Sequence, residues 1–177
     1  MSILKVARLG HPVLRWVADP VTNKALDSLE VGCLIENMVE TMREYEGVGL
    51  AAPQVHESRQ IAVIEVKRNP RYPSAPDIPL MILINPVITP LSEEMVEDWE
   101  GCLSVLDFRG RVPRYRQIEV RACDESGQEV KFVAQDFFAR VIQHECDHLS
   151  GKVFLDRMPS LETLSYLAEY ARFWESA

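Results

Sequence analysis

Two histidines and a glutamate in one short segment have the types and the spacing that metal chemistry requires. His144, Glu145 and His148 form a His-Glu-x-x-His pattern. In an α-helix, residues four apart lie about 40° from each other around the axis, so the two imidazoles project from one face and can bind one metal ion. Glu145 can then reach a water molecule in an open coordination position, which is the geometry of a hydrolytic site.

The pattern alone leaves a plain structural interpretation open, because these residues can also lie on the surface of an ordinary helix. A hydrolytic site needs a third ligand and a substrate cleft from elsewhere in the chain. The helix is predicted to begin near Gln135 and Asp136 and to stop near Gly151. Cys146 is two residues from each histidine and points about 200° away from their side, so we do not expect it to be a ligand.

Periodic patterns elsewhere predict an α+β fold, with mixed or antiparallel β-sheets around this central helix. Helical spacing of apolar residues over positions 25–46 predicts an N-terminal helix with Asp27 and Ser28 as candidate caps. A C-terminal amphipathic helix is predicted over positions 161–174, with its apolar face packed on the domain. The predicted strands are residues 61–66, 80–85, 87–91, 95–99, 117–123 and 129–134, the last two forming a hairpin.

Length and composition predict one globular domain that spans residues 1–177. The chain is 47% hydrophobic and 26% charged, and it has no apolar run of the roughly 20 residues that a membrane span needs. A net charge of -8 argues against a general affinity for nucleic acid or anionic membranes. Lys5 and Arg8 interrupt the apolar residues of the first segment, which is atypical of a secretory signal and favours a cytoplasmic location.

The four cysteines are too scattered to predict a disulfide framework. In a reducing compartment each is either a buried thiol or a metal ligand. We expect Cys33 to lie in the core and Cys123 to be structural. Gly101 would let the thiolate of Cys102 point into a cleft, although a single cysteine in a loop is more often a buried thiol.

A stretch of small residues at positions 47–54, Gly-Val-Gly-Leu-Ala-Ala-Pro-Gln, permits a close approach of the backbone to another group. One interpretation is a tight loop. Another is the wall of a substrate cleft, in which main-chain groups pair with a peptide and the amide of Gln54 donates to a developing oxyanion. The stretch alone does not decide between them. A set of basic residues further on is interpreted as a solvated face, namely Arg109, Arg111, Arg114, Arg116 and Arg121.

Three separated segments together resemble the three signature motifs of peptide deformylases. They are the stretch at 47–54, Glu-Gly-Cys-Leu-Ser at 100–104 and Gln-His-Glu-Cys-Asp-His-Leu at 143–149, in the order and rough spacing of that family. The likeness covers nearly the whole chain. It implies a metal-dependent hydrolase of protein biosynthesis, which removes the N-formyl group from the initiator methionine of new polypeptides and releases formate.

The resemblance also implies the composition of the metal site. Cys102 would be the third ligand beside His144 and His148, with one position left for water. Fe²⁺ would be the ion in the cell, while Zn²⁺, Ni²⁺ or Co²⁺ can occupy such a site. One thiolate and two imidazoles suit several first-row ions, so the ligand types do not identify the metal.

Catalytic and substrate-binding roles follow from the same resemblance. Glu145 would take the proton of the water and pass it to the departing amine. The metal, the Gln54 amide and the backbone N–H of Leu103 would hold the oxyanion. The expected substrate-binding residues are Gly49 through its backbone, Val48, Phe137 and Val141 as walls of an apolar methionine pocket, Arg140 through its aliphatic stem, and Arg109 beside Glu100 as support for the loops.

Two departures from the family pattern bear on substrates and partners. Leu106, Asp107 and Phe108 stand where many members have a proline after Cys-Leu-Ser-Val, which predicts an altered loop and substrate preference. The expected partners are formyl-methionyl nascent peptides and the ribosome. The predicted C-terminal helix is acidic, however, which argues against ribosome docking through it.

Three alternatives remain beside the deformylase hypothesis. One is a His-Glu-x-x-His metallopeptidase that cleaves internal peptide bonds, with Cys102 as an ordinary thiol. The second is a deformylase-like protein with a divergent substrate. The third is a metal-binding module without turnover, against which Glu145 and Gln54 count, because a purely structural site needs neither a base nor an oxyanion donor.

Overall fold

Two antiparallel β-sheets and a central helix make up the fold, which a computed structural model describes for residues 2–69, 71–72 and 75–175. The strands are β1 (Gly49–Ala51), β2 (Ile61–Val66), β3 (Ile78–Pro90), β4 (Met95–Cys102), β5 (Val105–Tyr115), β6 (Gln117–Cys123), β7 (Glu129–Gln135) and β8 (Ser165–Tyr166). The α-helices are α1 (Asn23–Leu26), α2 (Leu29–Glu44), α3 (Asp136–Leu149) and α4 (Leu167–Phe173). The predicted α+β class is confirmed.

The larger sheet has the strand order β1-β2-β3-β6-β7, and the smaller sheet has the order β4-β5-β8. Strand β2 shows how the core is divided, because it is buried on both faces. Ile61 and Val63 belong to the cluster that contains α2, whereas Ile64 belongs to the cluster that contains α3. Successive side chains of a strand point to opposite faces, so α2 and α3 cover opposite sides of the larger sheet.

Helix α3 forms where the sequence predicts it. Its N-cap is Gln135, and its apolar side packs Ala139 and Ile142 against the larger sheet. Gly151 takes a left-handed conformation with φ of 70°, and a Cβ at this position would lie 2.6 Å from the carbonyl oxygen of Arg15. Glycine is therefore required where the chain leaves the helix.

The predicted N-terminal helix is two helices in the structure. Helix α1 ends at Leu26, and α2 begins after Ser28, whose side chain accepts a hydrogen bond from the Val31 amide as predicted for a cap. The expectation that Cys33 lies in the core is wrong, because Cys33 is exposed. It is two positions from the buried Val31, which places it about 200° around the helix from the apolar face.

Strand β2 and the β6–β7 hairpin confirm the predicted elements, but two predicted strands merge into β3. The pairing of β3 shifts between Ile84 and Val87, where Asn85 has φ of 52°. The Asn85 side chain exchanges two hydrogen bonds of 2.8 Å with the main chain of Val21. The predicted interruption is therefore an irregularity within one strand.

The C-terminal prediction is wrong in its bounds and in its packing. Helix α4 has 7 residues and none is buried. The residues before it do not continue the helix, because Ser165 and Tyr166 pair with Arg109 and Phe108 of β5. Within the described ranges, no helix is both long enough and apolar enough to span a membrane.

Candidate active site

The side chains of Cys102, His144 and His148 converge between the smaller sheet and α3. Their potential ligand atoms all lie within 4.8 Å of one another. Cys102 is the last residue of β4, and the two histidines lie one turn apart on α3. The Nε2 atom of His148 is 3.2 Å from the Sγ atom of Cys102. A thiolate with two imidazoles is a donor set that suits first-row transition metals.

Two buried polar atoms at this point lack a hydrogen-bond partner among the described residues. They are Oε2 of Glu145 and Nδ1 of His148. Buried polar atoms are nearly always paired, so an orphaned carboxylate oxygen beside three metal-ligand side chains indicates room for a further polar group. Both the donor set and the orphaned oxygen therefore fit a metal site with a polar ligand next to Glu145.

The electrostatics of the group favour a thiolate. Burial acts to raise the pKa of the Cys102 thiol, but the neighbouring His148 and His144 outweigh it and hold this pKa well below its ordinary value. Burial, together with the neighbouring carboxylates of Glu145 and Asp147, raises the pKa of the Cys146 thiol to about 12. Cys146 does not belong to the converging group, and we did not expect it to be a ligand.

Glu145 lies in a space that only a glycine leaves open. A Cβ on Gly49 would lie 2.3 Å from Oε1 of Glu145, closer than any real contact, so β1 can approach α3 only with glycine at this position. Burial raises the pKa of the Glu145 carboxyl to about 7, although the two histidines oppose this shift. The small residues that precede Gln54 thus form a wall of the site, which supports the cleft interpretation over a simple loop.

Glu100 fixes the orientation of His144. Its Oε2 atom is 2.9 Å from Nδ1 of His144, which leaves Nε2 of that ring facing the converging group. The same carboxylate accepts hydrogen bonds of 2.8 and 2.9 Å from Arg114 and one of 2.9 Å from Arg140. Burial acts to raise the pKa of Glu100, but Arg114 and His144 hold it well below its ordinary value.

A second carboxylate extends this charged network along α3. Asp147 accepts a hydrogen bond of 2.5 Å from Arg114 and another of 2.5 Å from Arg157. Arg114 and Arg109 are each 4% exposed. Their predicted place on a solvated face is therefore wrong, because Arg114 shares the buried face of β5 with Val112 and Arg109 is covered by the rings of Tyr72 and Tyr170. Arg116 and Arg121 do lie on the surface, where they pair with acidic side chains.

Gln54 lies in a short 3-10 helix and Leu103 in the turn after β4, and Ala7 and Arg8 form hydrogen bonds to both. Gln54 accepts a hydrogen bond of 2.8 Å from the Ala51 amide, and its Nε2 atom is 3.5 Å from Sγ of Cys102. The amide of Ala7 donates to the carbonyl of Gln54 at 2.7 Å, and Arg8 donates to the carbonyl of Leu103. The expected oxyanion donors are therefore close to the cysteine and held in place by the same segment.

A cavity of about 40 Å³ opens onto the converging group. Five of the six residues predicted to bind substrate line it, namely Val48, Gly49, Phe137, Arg140 and Val141. The Arg140 guanidinium reaches Glu100 and the carbonyl oxygen of Val112, so its stem faces the cavity while its charge is paired behind the wall. Arg109 lines a neighbouring cavity instead.

The unusual loop residues do not reach this cavity. Leu106 and Phe108 lie in β5 and line a separate cavity with Leu9. Their predicted effect on substrate preference stays a prediction. These residues do not line the cavity beside the converging group.

Several residues of the site are not identified by any sequence pattern. Arg8, Tyr72, Trp99 and Arg157 carry no motif that would have identified them. The spacing of two other residues does indicate that they face the site. Arg114 is two positions from the buried Val112 in one strand and so shares its face, and Asp147 follows His144 by three residues on the same side of the helix.

The fold and the site define a class of protein. A helix with two histidines and a buried glutamate, joined by a cysteine at the end of a β-strand, is the arrangement of a metal-dependent hydrolase with three protein ligands and an open position.

Comparison with known proteins identifies the family. The family profile described as "Polypeptide deformylase" matches residues 3–164. "Peptide deformylase 1" of Bordetella pertussis is 48% identical over 161 residues, which are 91% of this chain and 90% of that protein. "Peptide deformylase 1" of Nitrosomonas europaea is 43% identical over 164 residues, covering 93% of this chain and 92% of that protein.

A solved structure agrees with this result. The Met-Ala-Ser-bound crystal structure of a class I type b peptide deformylase from Acinetobacter baumannii has a TM-score of 0.86 and 41% identity, and the match covers 89% of this chain and 99% of that one. This chain belongs to the peptide deformylase family, whose members are metal-dependent hydrolases that remove the N-formyl group from nascent peptides.

Proposed function

We propose that this protein hydrolyses the N-formyl group of formyl-methionyl nascent peptides and uses Fe²⁺ in the cell. The observation that carries the proposal is the convergence of Cys102, His144 and His148 within 4.8 Å, with the Glu145 carboxylate oxygen unpaired beside them. A structural metal site has no need of a buried, unpaired base. Membership of the deformylase family supports the same activity.

In this proposal Cys102, His144 and His148 hold the ion. When bound, the metal supplies a Lewis acid that makes a hydroxide nucleophile available near neutral pH. Glu145 accepts the proton of the attacking water and gives it to the departing amine. Its burial against Gly49 keeps bulk water from competing for that proton.

Gln54 and Leu103 provide the donors for the oxyanion. The Nε2 atom of Gln54 is held 3.5 Å from Sγ of Cys102, with its own oxygen fixed by the Ala51 amide. The N–H of Leu103 follows the cysteine directly in the chain. The Gln54 donor is therefore oriented before substrate binds, which is the condition under which such donors accelerate acyl transfer.

The apolar part of the cleft would hold the methionine side chain. Val48, Phe137 and Val141 supply its walls, with the stem of Arg140, and the backbone of Gly49 is available to pair with the substrate chain. The related Acinetobacter baumannii enzyme has been crystallised with Met-Ala-Ser, which supports a peptide that begins with methionine as the ligand of this cleft.

The proposal also covers the cellular location of the protein and its partners. We place the protein in the cytoplasm, because nascent formylated peptides are made there and a thiolate ligand needs a reducing compartment. The ribosome is a proposed partner, but α4 contributes Glu169 with Arg172 and offers no basic surface for RNA. The single domain over residues 1–177 remains a prediction.

The test is to purify the protein without oxygen, measure its metal content, and assay formate release from formyl-Met-Ala-Ser beside unformylated Met-Ala-Ser. The expected result is formate from the formylated peptide only, with Fe²⁺ supporting turnover. Mass spectrometry of the products also detects cleavage of internal peptide bonds, which would support a metallopeptidase. A fully metal-loaded sample that releases no formate would rule out the proposed function.

A further inference from the structure

The turn after β4 places a backbone amide on the sulfur of Cys102. The N–H of Ser104 donates to the Sγ atom of Cys102 at 3.3 Å, and both residues are buried. A hydrogen bond to a cysteine sulfur draws electron density away from it, and such bonds tune the properties of thiolate-bound metals. The Ser104 amide is therefore placed to adjust how strongly Cys102 donates electrons to a metal.

Two residues of the N-terminal segment hold the peptide groups of this turn. Arg8 donates through Nη1 to the carbonyl of Leu103. The amide of Leu9 donates to the carbonyl of Ser104 at 2.8 Å. A peptide group is planar, so the carbonyl of Leu103 and the N–H of Ser104 point in opposite directions along one rigid unit. By fixing the carbonyl at one end, Arg8 also fixes the N–H that reaches the sulfur at the other end.

The charge of Arg8 strengthens the hydrogen bond to the sulfur. A carbonyl that accepts a hydrogen bond from a cation is polarised, and the N–H of the same peptide group becomes a better donor. The guanidinium, the peptide group and the Cys102 sulfur thus form one chain of hydrogen bonds. Arg8 is exposed, so water screens part of its charge, and we expect a smaller effect than the loss of a metal ligand would have.

The unusual loop residues neighbour Arg8. The same apolar cavity of about 340 Å³ is lined by Arg8, Ser104, Leu106 and Phe108. Arginine stems often lie along apolar surface while the guanidinium reaches a polar group, and here that group is the carbonyl of Leu103. The loop that departs from the family pattern therefore borders the Arg8 side chain and not the substrate cleft.

We propose that Arg8 is a positioning residue that acts through the Leu103–Ser104 peptide group, keeps the Ser104 N–H on the Cys102 sulfur, and so limits the electron donation of this sulfur to the bound metal. This assignment rests on the proposed function and its metal ligands. A metal that receives less electron density from its ligands is a stronger Lewis acid, so Arg8 supports turnover without touching the substrate.

The experiment uses the cobalt-loaded protein, because the sulfur-to-cobalt charge-transfer band in the near ultraviolet reports the electron donation of Cys102 without turnover. The band and the kinetics with formyl-Met-Ala-Ser are compared for the wild type, Arg8→Met, Arg8→Gln and Arg8→Lys. Arg15→Met is the matched control, because Arg15 belongs to the same segment but pairs with Asp156. Circular dichroism and metal analysis show whether each variant is folded and loaded.

We expect the band of Arg8→Met to move to longer wavelength, because a sulfur without its hydrogen bond gives up electron density more readily. Its kcat should fall about tenfold with KM unchanged, as for a change in a group that orients a metal ligand. Arg8→Gln donates without a charge, so it should shift the band in the same direction by a smaller amount. Arg8→Lys keeps a charged donor and should restore both properties, and Arg15→Met should match the wild type.

The inference is overturned if neither Arg8→Met nor Arg8→Gln shifts the band. A fall in kcat without a shift would likewise contradict it, because Arg8 would then only hold the turn in place. Ser104→Ala removes the hydroxyl but keeps the N–H, so its band should stay at the wild-type position. A shift as large as that of Arg8→Met would assign the effect to the Ser104 hydroxyl and contradict the role of the peptide group. Absence of formate release by the wild type would contradict the proposed function and leave the band comparison intact.

Discussion

Helices α3 and α4 are both predicted from the sequence, α3 from the spacing of its histidines with start and stop signals and α4 from amphipathic spacing, yet they differ greatly in burial. In α3, 10 of the 14 residues are buried, and the helix contacts both sheets. In α4, none of the 7 residues is buried, and the helix contacts β5 and places the ring of Tyr170 4.9 Å from that of Trp99. The metal motif with its end signals thus gave an accurate prediction, whereas amphipathic spacing gave an inaccurate one.

The two helices differ in burial because they contact different surfaces of the protein. The two sides of α3 meet an apolar sheet and a buried set of charges around Glu100, so its apolar residues pack on the sheet and its polar residues Arg140 and His144 pair with Glu100. The segment before α4 instead pairs with the edge of β5, which removes residues from the predicted helix. Periodicity predicts which face would be buried, but the tertiary partner decides whether it is.

Cys102→Ser is the change with the largest expected effect, because it removes the contribution of β4 to the site on α3. We expect loss of bound metal and a loss of formate release beyond the roughly 10²–10⁴-fold that a general base contributes. Metal analysis and a formate assay check this. Cys146→Ser is the control, since Cys146 is on α3 but outside the converging group, and it should keep both properties. Unchanged metal and activity in Cys102→Ser would contradict the ligand assignment.

Ile142→Ala tests the apolar side of α3. Ile142 is 0% exposed, so its truncation leaves a cavity and should lower the free energy of unfolding by about 2–5 kcal/mol. Urea unfolding of the metal-loaded protein measures this loss. A change near zero would show that α3 does not depend on its contact with the larger sheet.

Glu100→Gln tests the polar side of the same helix. The variant keeps the shape of the side chain but weakens the acceptor that orients His144, and it removes the carboxylate between Arg114 and Arg140. We expect metal affinity and kcat/KM to fall about 10–100-fold. Chelator competition measures the affinity. Glu97→Gln, on the same strand but at a side chain that is 43% exposed, should leave both unchanged.

Leu167→Ala is the counterpart in α4 and should have the smallest effect. Leu167 is 42% exposed, so its truncation should change the free energy of unfolding by no more than about 0.5 kcal/mol. The urea measurement used for Ile142→Ala applies here. A loss as large as that of Ile142→Ala would mean that α4 is packed as the sequence predicted.

The residues that converge at the site were easier to predict than the bounds of the elements around them. Local spacing places His144, Glu145 and His148 on one helix face, since four residues make about one turn. The roles of Cys102 and Gln54 came from the family resemblance, because nothing local links residues that are 42 and 90 positions before His144. The structure places Cys102 beside His148 and Gln54 beside Cys102.

The charged residues behind the site were the hardest to predict. Arg109 and Arg114 look like surface residues in the sequence, because arginine is seldom buried without a partner. Their environments depend on pairing across the sheets and with α3, which a single sequence does not specify. Arg114 forms ion pairs with Glu100 and Asp147, whereas the guanidinium of Arg109 lies over two tyrosine rings.

The central claim is that α3 carries the base of a metal-dependent deformylase. Glu145→Ala tests it most directly when bound metal and formate release from formyl-Met-Ala-Ser are measured on the same sample. The expected result is a full metal content with turnover reduced about 10²–10⁴-fold. Turnover at the wild-type rate, or loss of the metal together with the activity, would contradict the assignment of Glu145 as the catalytic base.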